Sequence, residues 1–149
     1  MKTIVRGAIV PALIVASLQC MVECMCAFVV LVLQPKNGLS IMSVGIALSQ
    51  AILLIGAAVY AGILRHRSRA SLSGCTVGGA AVGLLANLAT QAVHSVLIFL
   101  MAAVMMDRTV WTAVLVTMLV SYLFYGIGGL FIGEVGGGAV GLLSLRRAR

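Results

Sequence analysis

Apolar residues run along this chain in four long blocks, Gly7–Leu33, Ile41–Leu64, Leu72–Met106 and Thr109–Leu145, and most of the charge falls between or beyond them. The blocks are continuous rather than alternating, and each exceeds the ~20 residues that cross a hydrocarbon core of ~30 Å. Sheet in lipid would need closure into a barrel, so such runs form helices. The pattern predicts an all-α fold: one domain, 1–149, built as an antiparallel four-helix bundle that spans a membrane. The links favour this arrangement because they are short. Gln34–Ser40 contains Pro35, Asn37 and Gly38, all turn residues, and Asp107-Arg108-Thr109 forms the other hairpin turn. Ser40 is the expected cap of the second helix, and Asp107 or Thr109 that of the fourth. Pro11 is expected to kink the first.

Composition agrees with the pattern. Hydrophobic residues make up 62% of the chain and charged residues 9%, where soluble domains carry about 25% charge. A fold of this size in water could not cover so much apolar surface.

Charge adds orientation. Of the ten basic residues, Lys2, Arg6, Arg65, Arg67, Arg69, Arg146, Arg147 and Arg149 fall on one side of the predicted bundle, and Lys36 and Arg108 on the other. The excess of Lys and Arg on cytoplasmic loops predicts that both termini and the Arg65–Arg69 loop face the cytoplasm, with the plasma (inner) membrane as the location. The net charge of +7 is then a membrane-surface signal. Arg65, Arg67, Arg69, Arg146, Arg147 and Arg149 are expected to touch lipid head groups. No nucleic-acid partner is expected, because the arginines are not interleaved with aromatics on an exposed face. The basic start and apolar core of the N-terminus resemble a signal peptide, but the apolar run to Leu33 is longer than a signal core of 7–15 residues. An uncleaved first helix is the expectation. Ser17-Leu18-Gln19-Cys20 is a poor lipoprotein box, since Gln19 is large and polar.

Glycine gives the next pattern. Gly129, Gly133, Gly137 and Gly141 recur every fourth residue, as do Gly74 with Gly78 and Gly79 with Gly83. Small residues at this spacing let helix backbones approach closely in a membrane. The start of helix three and the end of helix four share one depth, so their stripes can face each other, or face another copy of the chain. Gly78–Leu85 resembles Gly136–Leu143 in residue order, an internal similarity that low complexity also produces. The last two helices are longer than a bilayer requires, and Gly136–Gly138 is the expected break, with Glu134 beside it near the interface and paired with an arginine.

Polar residues inside the blocks are the route to chemistry. Gln19 and Glu23 are one turn apart in helix one, Gln50 lies in helix two, and Asn87, Gln91 and His94 share a face of helix three flanked by Thr90 and Ser95. Counting the rise from each helix centre places Glu23, Gln50 and His94 at similar depth. A carboxylate in hydrocarbon must face inward, pair or stay protonated, and His94 is its natural partner. The pair reads either as a proton or cation relay or as a buried link that fixes helix register.

Cys20, Cys24 and Cys26 surround Glu23, with Met21 and Met25 between them, and Met101, Met105 and Met106 crowd the end of helix three. Cys20 and Cys24 are the candidate metal ligands, soft donors suited to Cu(I) or, with histidine, zinc. Packing as small apolar residues is the favoured reading, and no metal site is expected. No loop CxxC is present, and no cofactor is expected. Neither a Ser/His/Asp set, an HExxH, a phosphate loop nor a carboxylate pair occurs, so the chain does not read as an enzyme.

Gly56-Ala57-Ala58-Val59-Tyr60-Ala61-Gly62, the basic segment Arg65–Arg69 and the Gly-rich ends of helices three and four resemble the uncharacterised small four-helix membrane proteins of bacteria and archaea. The likeness covers about the last two thirds of the chain and implies a fold, with no activity to transfer. Small multidrug transporters also have four helices and a lone glutamate in helix one, but their surrounding pattern is missing here. Two functions are therefore expected: a non-enzymatic packing or accessory subunit, bound to another membrane protein or to itself, and alternatively a small transporter or channel for protons or cations using Glu23 and His94.

Overall fold

The computed structural model describes residues 2–33, 36–105 and 111–146. They form four helices, α1 (Lys2–Leu33), α2 (Gly38–Ser68), α3 (Leu72–Met105) and α4 (Trp111–Arg146), and no strand occurs among the described residues. All four are long and apolar enough to cross a membrane. At 1.5 Å per residue they reach roughly 45–55 Å, beyond the ~30 Å of a hydrocarbon core. Asp107, Arg108, Thr109, Arg147 and Arg149, and the side chains of Met101, Met105, Met106 and Arg146, lie outside the described residues.

Several boundaries differ from the sequence expectation. α1 starts at Lys2 rather than Gly7, and it is continuous through Pro11. Proline there lacks the N–H for one i→i−4 bond, and the helix continues past it. Asn37 rather than Ser40 precedes α2, without a side-chain cap, and its carbonyl oxygen accepts from the N–H groups of Ser40 and Ile41 at 3.0 and 3.2 Å. α2 continues through Arg65 and Arg67 to Ser68, so the basic segment is mostly helix. Arg69 ends it in the left-handed region at φ 48°, where its N–H bonds to Leu64 O. This stop is normally signalled by Gly or Asn, which explains why the sequence hid it. Arg65 Nη1 also donates to Ala70 O at 2.7 Å, which clamps the link to α3. α4 is unbroken through Gly136–Gly138. That run is held instead by close contacts. A Cβ on Gly136 would lie 2.9 Å from Leu54 O of α2, and one on Gly137 would meet Cys75 O of α3.

The helices sit as a rhombus. α2 and α3 contact each other, α1 packs on both, α4 packs on both and most extensively on α3, and α1 and α4 do not meet among the described residues. Apolarity does not mark the inner faces, because large apolar side chains such as Val10, Ile14, Phe28, Ile55, Phe124 and Phe131 point outward. Small and polar residues mark them. Ala8, Ala12, Ala16, Gln19 and Glu23 line α1, and Gly45, Ser49, Leu53, Ala57 and Ala61 line α2 at every fourth position. Small side chains bring the backbones together, and lipid solvates the bulky ones.

α3 and α4 close on each other at the end that carries both termini. There Gly79 and Gly83 of α3 meet Gly129, Gly133 and Gly137 of α4 backbone to backbone, and a Cβ on Gly79 would lie 2.8 Å from Gly137 Cα. Gly141 rests on Leu72 and Cys75. Gly74 and Gly78, expected on the same seam, face elsewhere. Gly74 lies against Ala70, Ser71 and Ile4, and Gly78 against Leu64, Tyr60 and Ile4. The two stripes are roughly 140° apart round the helix, so one face of α3 takes α4 and another takes α2 and α1. Sequence reasoning also passed over the glycines of the α1–α2 seam. A Cβ on Gly7 would lie 2.8 Å from Tyr60 Oη, one on Gly45 would lie 2.8 Å from Cys26 Sγ, and Gly56 meets Val15. Tyr60 Oη donates to Ile4 O at 2.8 Å across this seam.

Candidate functional site in the bundle interior

Two polar layers cross the middle of the bundle. The first is centred on Gln19, which is fully buried. Gln19 Nε2 donates to Asn87 Oδ1 at 3.0 Å and to Ser49 at 3.2 Å, shared between its backbone O and Oγ. Thr90 Oγ1 donates to Gln19 Oε1 at 3.2 Å, and Asn87 Nδ2 donates to Tyr125 O at 2.9 Å. One carboxamide thereby joins α1, α2 and α3, and Asn87 extends the network to α4. Every polar group in hydrocarbon needs a partner, and here the partners come from different helices, which fixes their register.

One turn further along α1, toward the two hairpin turns, lies the second layer. His94 Nε2 and Glu23 Oε2 are 3.1 Å apart. The Glu23 side chain is 9% exposed and that of His94 23%. Glu23 Oε1 is buried and has no hydrogen-bond partner among the described residues. Asn87, Gln91 and His94 stand on one face of α3 at helical spacing, so one helix supplies both layers.

Beside the Glu23–His94 pair lies a cavity of about 350 Å³. All four helices contribute to it: Glu23, Cys24, Cys26 and Ala27 from α1, Met42, Gly45 and Ile46 from α2, Gln91, His94, Leu97 and Ile98 from α3, and Ser121 and Tyr125 from α4. A smaller cavity of about 200 Å³ shares Gln91, Ile98 and Ser121 with it and continues between α3 and α4 past Val114 and Met118. The short Arg69–Ser71 link holds α2 and α3 together at the opposite end. The larger cavity occupies the space between their hairpin-end halves.

Among the expected cluster, the structure brings Gln19 to Asn87 and Glu23 to His94, and places Gln91 on the cavity wall. Gln50 does not join them. It is half-buried, its Oε1 has no partner among the described residues, and its neighbour Ser49 takes the place in the Gln19 network. Depth alone suggested Gln50, but helical phase decides the direction, and one residue turns a side chain by about 100°. Thr90, expected only to flank the α3 face, joins the Gln19 network, and Ser49, Ser121 and Tyr125 had no expected place in the cluster. Ser49 was legible in the small-residue stripe of α2, while Tyr125 enters partly through its backbone oxygen, which no sequence pattern shows.

The metal candidates Cys20 and Cys24 do not converge with other ligands. No three His, Cys, Asp or Glu among the described residues are grouped to hold an ion, and Cys24 is exposed. Cys26, not Cys20, shares the cavity wall with Cys24. Glu134 is exposed and has no ion-pair partner among the described residues, while the Arg146 side chain, Arg147 and Arg149 lie outside them. Arg67 and Arg69 are exposed, and Arg65 and His66 border a cavity of about 460 Å³ between the ends of α2 and α4.

No protein-family model matches the chain, and neither a curated protein nor a solved structure shows significant similarity to it.

Proposed function

We propose that this protein is a small membrane transporter for protons or cations that works through Glu23 and His94. The observation that carries the reading is the cavity of about 350 Å³ that reaches the Glu23–His94 pair. A carboxylate within a bilayer is costly and is kept where it binds or relays charge. At 3.1 Å the two groups can exchange a proton directly. The cavity lies toward the hairpin turns, and the Gln19 network with the glycine seam behind it closes the path toward the termini. Gln19 carries no titrating proton, so the layer stops a relay until the helices shift. A hydrogen-bonded polar layer between the cavity and the termini fits a carrier better than a continuous pore.

The accessory-subunit reading, the first of the two expected, rests on glycine stripes as a surface for a partner. Gly79, Gly83, Gly129, Gly133 and Gly137 are spent on contacts within the chain. Their use inside the bundle leaves the cavity as the stronger guide. Lipid is the surrounding partner, with Arg67 and Arg69 available to anionic head groups and both termini cytoplasmic by the charge bias.

Proton flux in vesicles containing the purified protein, followed with an entrapped pH dye, is the test. Wild type should carry protons, and Glu23→Gln should abolish the flux, since the amide keeps the shape and loses the titrating proton. Equal flux in both would return the accessory-subunit reading. Cysteines placed at Asn37 and at Ser68 test the orientation. The first should react with impermeant reagent from outside the cell and the second should not.

A further inference from the structure

The cavity is larger than a proton relay needs and poorly lined for a bare metal ion. A water occupies about 30 Å³, and small-molecule sites begin at about 300 Å³. This one measures about 350 Å³. Its walls are mainly carbon and sulfur from Ala27, Met42, Ile46, Leu97 and Ile98. A hard cation such as Na⁺, K⁺ or Ca²⁺ wants a shell of oxygens, which such walls do not give. Into the same space comes Glu23, a carboxylate more than nine-tenths buried. Its Oε2 is taken by His94, and its Oε1 is buried with no partner. An unsatisfied carboxylate oxygen in a low-dielectric interior demands a donor, preferably a charged one. Tyr125 lines the same space and offers an aromatic ring for a cation.

We infer that the cavity binds an organic monocation, a protonated amine with an apolar body, whose N–H donates to Glu23 Oε1 while its carbon skeleton fills the space between Met42, Ile46, Leu97 and Ile98. His94 holds Oε2 and so fixes the carboxylate for the incoming donor. The Gln19 network lies one turn away and its donors and acceptors are engaged with one another, so the charge of the ligand is read by Glu23 and its body by the shape of the cavity. This rests on the transport reading above and names its cargo.

The test uses the full chain in lipid nanodiscs, titrated calorimetrically with 2-phenylethylamine, which is protonated at pH 7, and with 2-phenylethanol, its neutral counterpart of similar size. The amine should bind saturably at one per chain and at least tenfold more tightly than the alcohol. Glu23→Gln should weaken the amine at least tenfold and leave the alcohol nearly unchanged. Ser121→Leu, which narrows the cavity without removing the carboxylate, should also weaken the amine and keeps the idea testable if Glu23→Gln fails to fold. Equal affinity for amine and alcohol would overturn the inference, as would amine binding that survives Ser121→Leu unchanged. Glu23-dependent proton flux in a wild type that binds no amine would sink the cargo and leave the transport reading standing. Loss of both would remove both.

Discussion

The two halves of this bundle solve opposite problems with the same four helices. Toward the termini, α3 and α4 touch through Gly79, Gly83, Gly129, Gly133 and Gly137, with no side chain between the backbones. Toward the hairpin turns, Glu23, Gln91, His94, Ser121 and Tyr125 border a cavity. Between the halves lies the Gln19 network, satisfied on both ends of its carboxamide. Backbone contact along the α3–α4 seam gives a rigid anchor, and the region beyond the Gln19 network leaves room for a ligand between all four helices. The difference teaches that a small membrane bundle can use glycine for rigidity in one half and leave a carboxyl beside a cavity in the other.

The most damaging way to break the contrast is to separate the closed half. At Gly83 a Cβ would already meet Gly129 O and would lie 3.0 Å from Gly133 Cα. Gly83→Leu should therefore cost at least ~3 kcal/mol, at the top of the range for overpacking, because backbone cannot move aside as a side chain can. Leu130→Ala, at a position 37% exposed, should cost much less. Thermal unfolding in detergent measures both, and equal losses would show that the seam does not carry the fold. Gly133→Leu and Gly137→Leu should behave as Gly83→Leu does.

Removing the divider is the next largest change. Gln19→Leu leaves Asn87 Oδ1 without its Gln19 donor and Thr90 Oγ1 without its Gln19 acceptor, at a cost of about 1–3 kcal/mol for groups left unsatisfied. It should also increase proton leak, since the layer closing the site toward the termini loses its bonds. A stable variant with unchanged leak would show that the layer is not the barrier.

The open half should answer differently. Glu23→Gln removes a buried carboxylate whose Oε1 has no partner, so the fold should be unharmed or gain up to about 1 kcal/mol while flux is lost. Unfolding of this variant at markedly lower temperature would make Glu23 structural. The smallest effect sharpens the comparison by a single residue. Gly128 has open space where a Cβ would go, and Gly129 beside it meets Gly83 O and Asn87. Gly128→Ala should gain about 0.5–1 kcal/mol, because alanine is the better helix former. Gly129→Ala should lose stability under the same melt.

The halves were not equally legible. The Gly79/Gly83 and Gly129/Gly133/Gly137 stripes stand out because a four-residue repeat survives any error in helix ends. Gly136–Gly138 misled, because three glycines in water weaken a helix, whereas here Leu54, Ala57 and Cys75 hold them and lipid offers the backbone no competing bond. The α1–α2 seam was hidden, since Gly7, Gly45 and Gly56 lack a regular spacing. Glu23 and His94 could be paired in advance because depth and rarity leave few alternatives for a carboxylate in hydrocarbon. Gln50 could not be excluded, since rotation about the helix axis is invisible until the packing fixes it.

The amino-acid sequence by itself determined the four apolar helices, their alternation, and the isolation of one carboxylate and one imidazole among carbon, because hydrocarbon leaves each of these a single low-energy choice. Only the tertiary structure decided which residues meet. Lipid solvates Leu and Phe as well as a protein core does, so apolarity does not orient a helix in this chain. Close backbone approach and hydrogen bonds between helices do so, and both exist only once all four are in place.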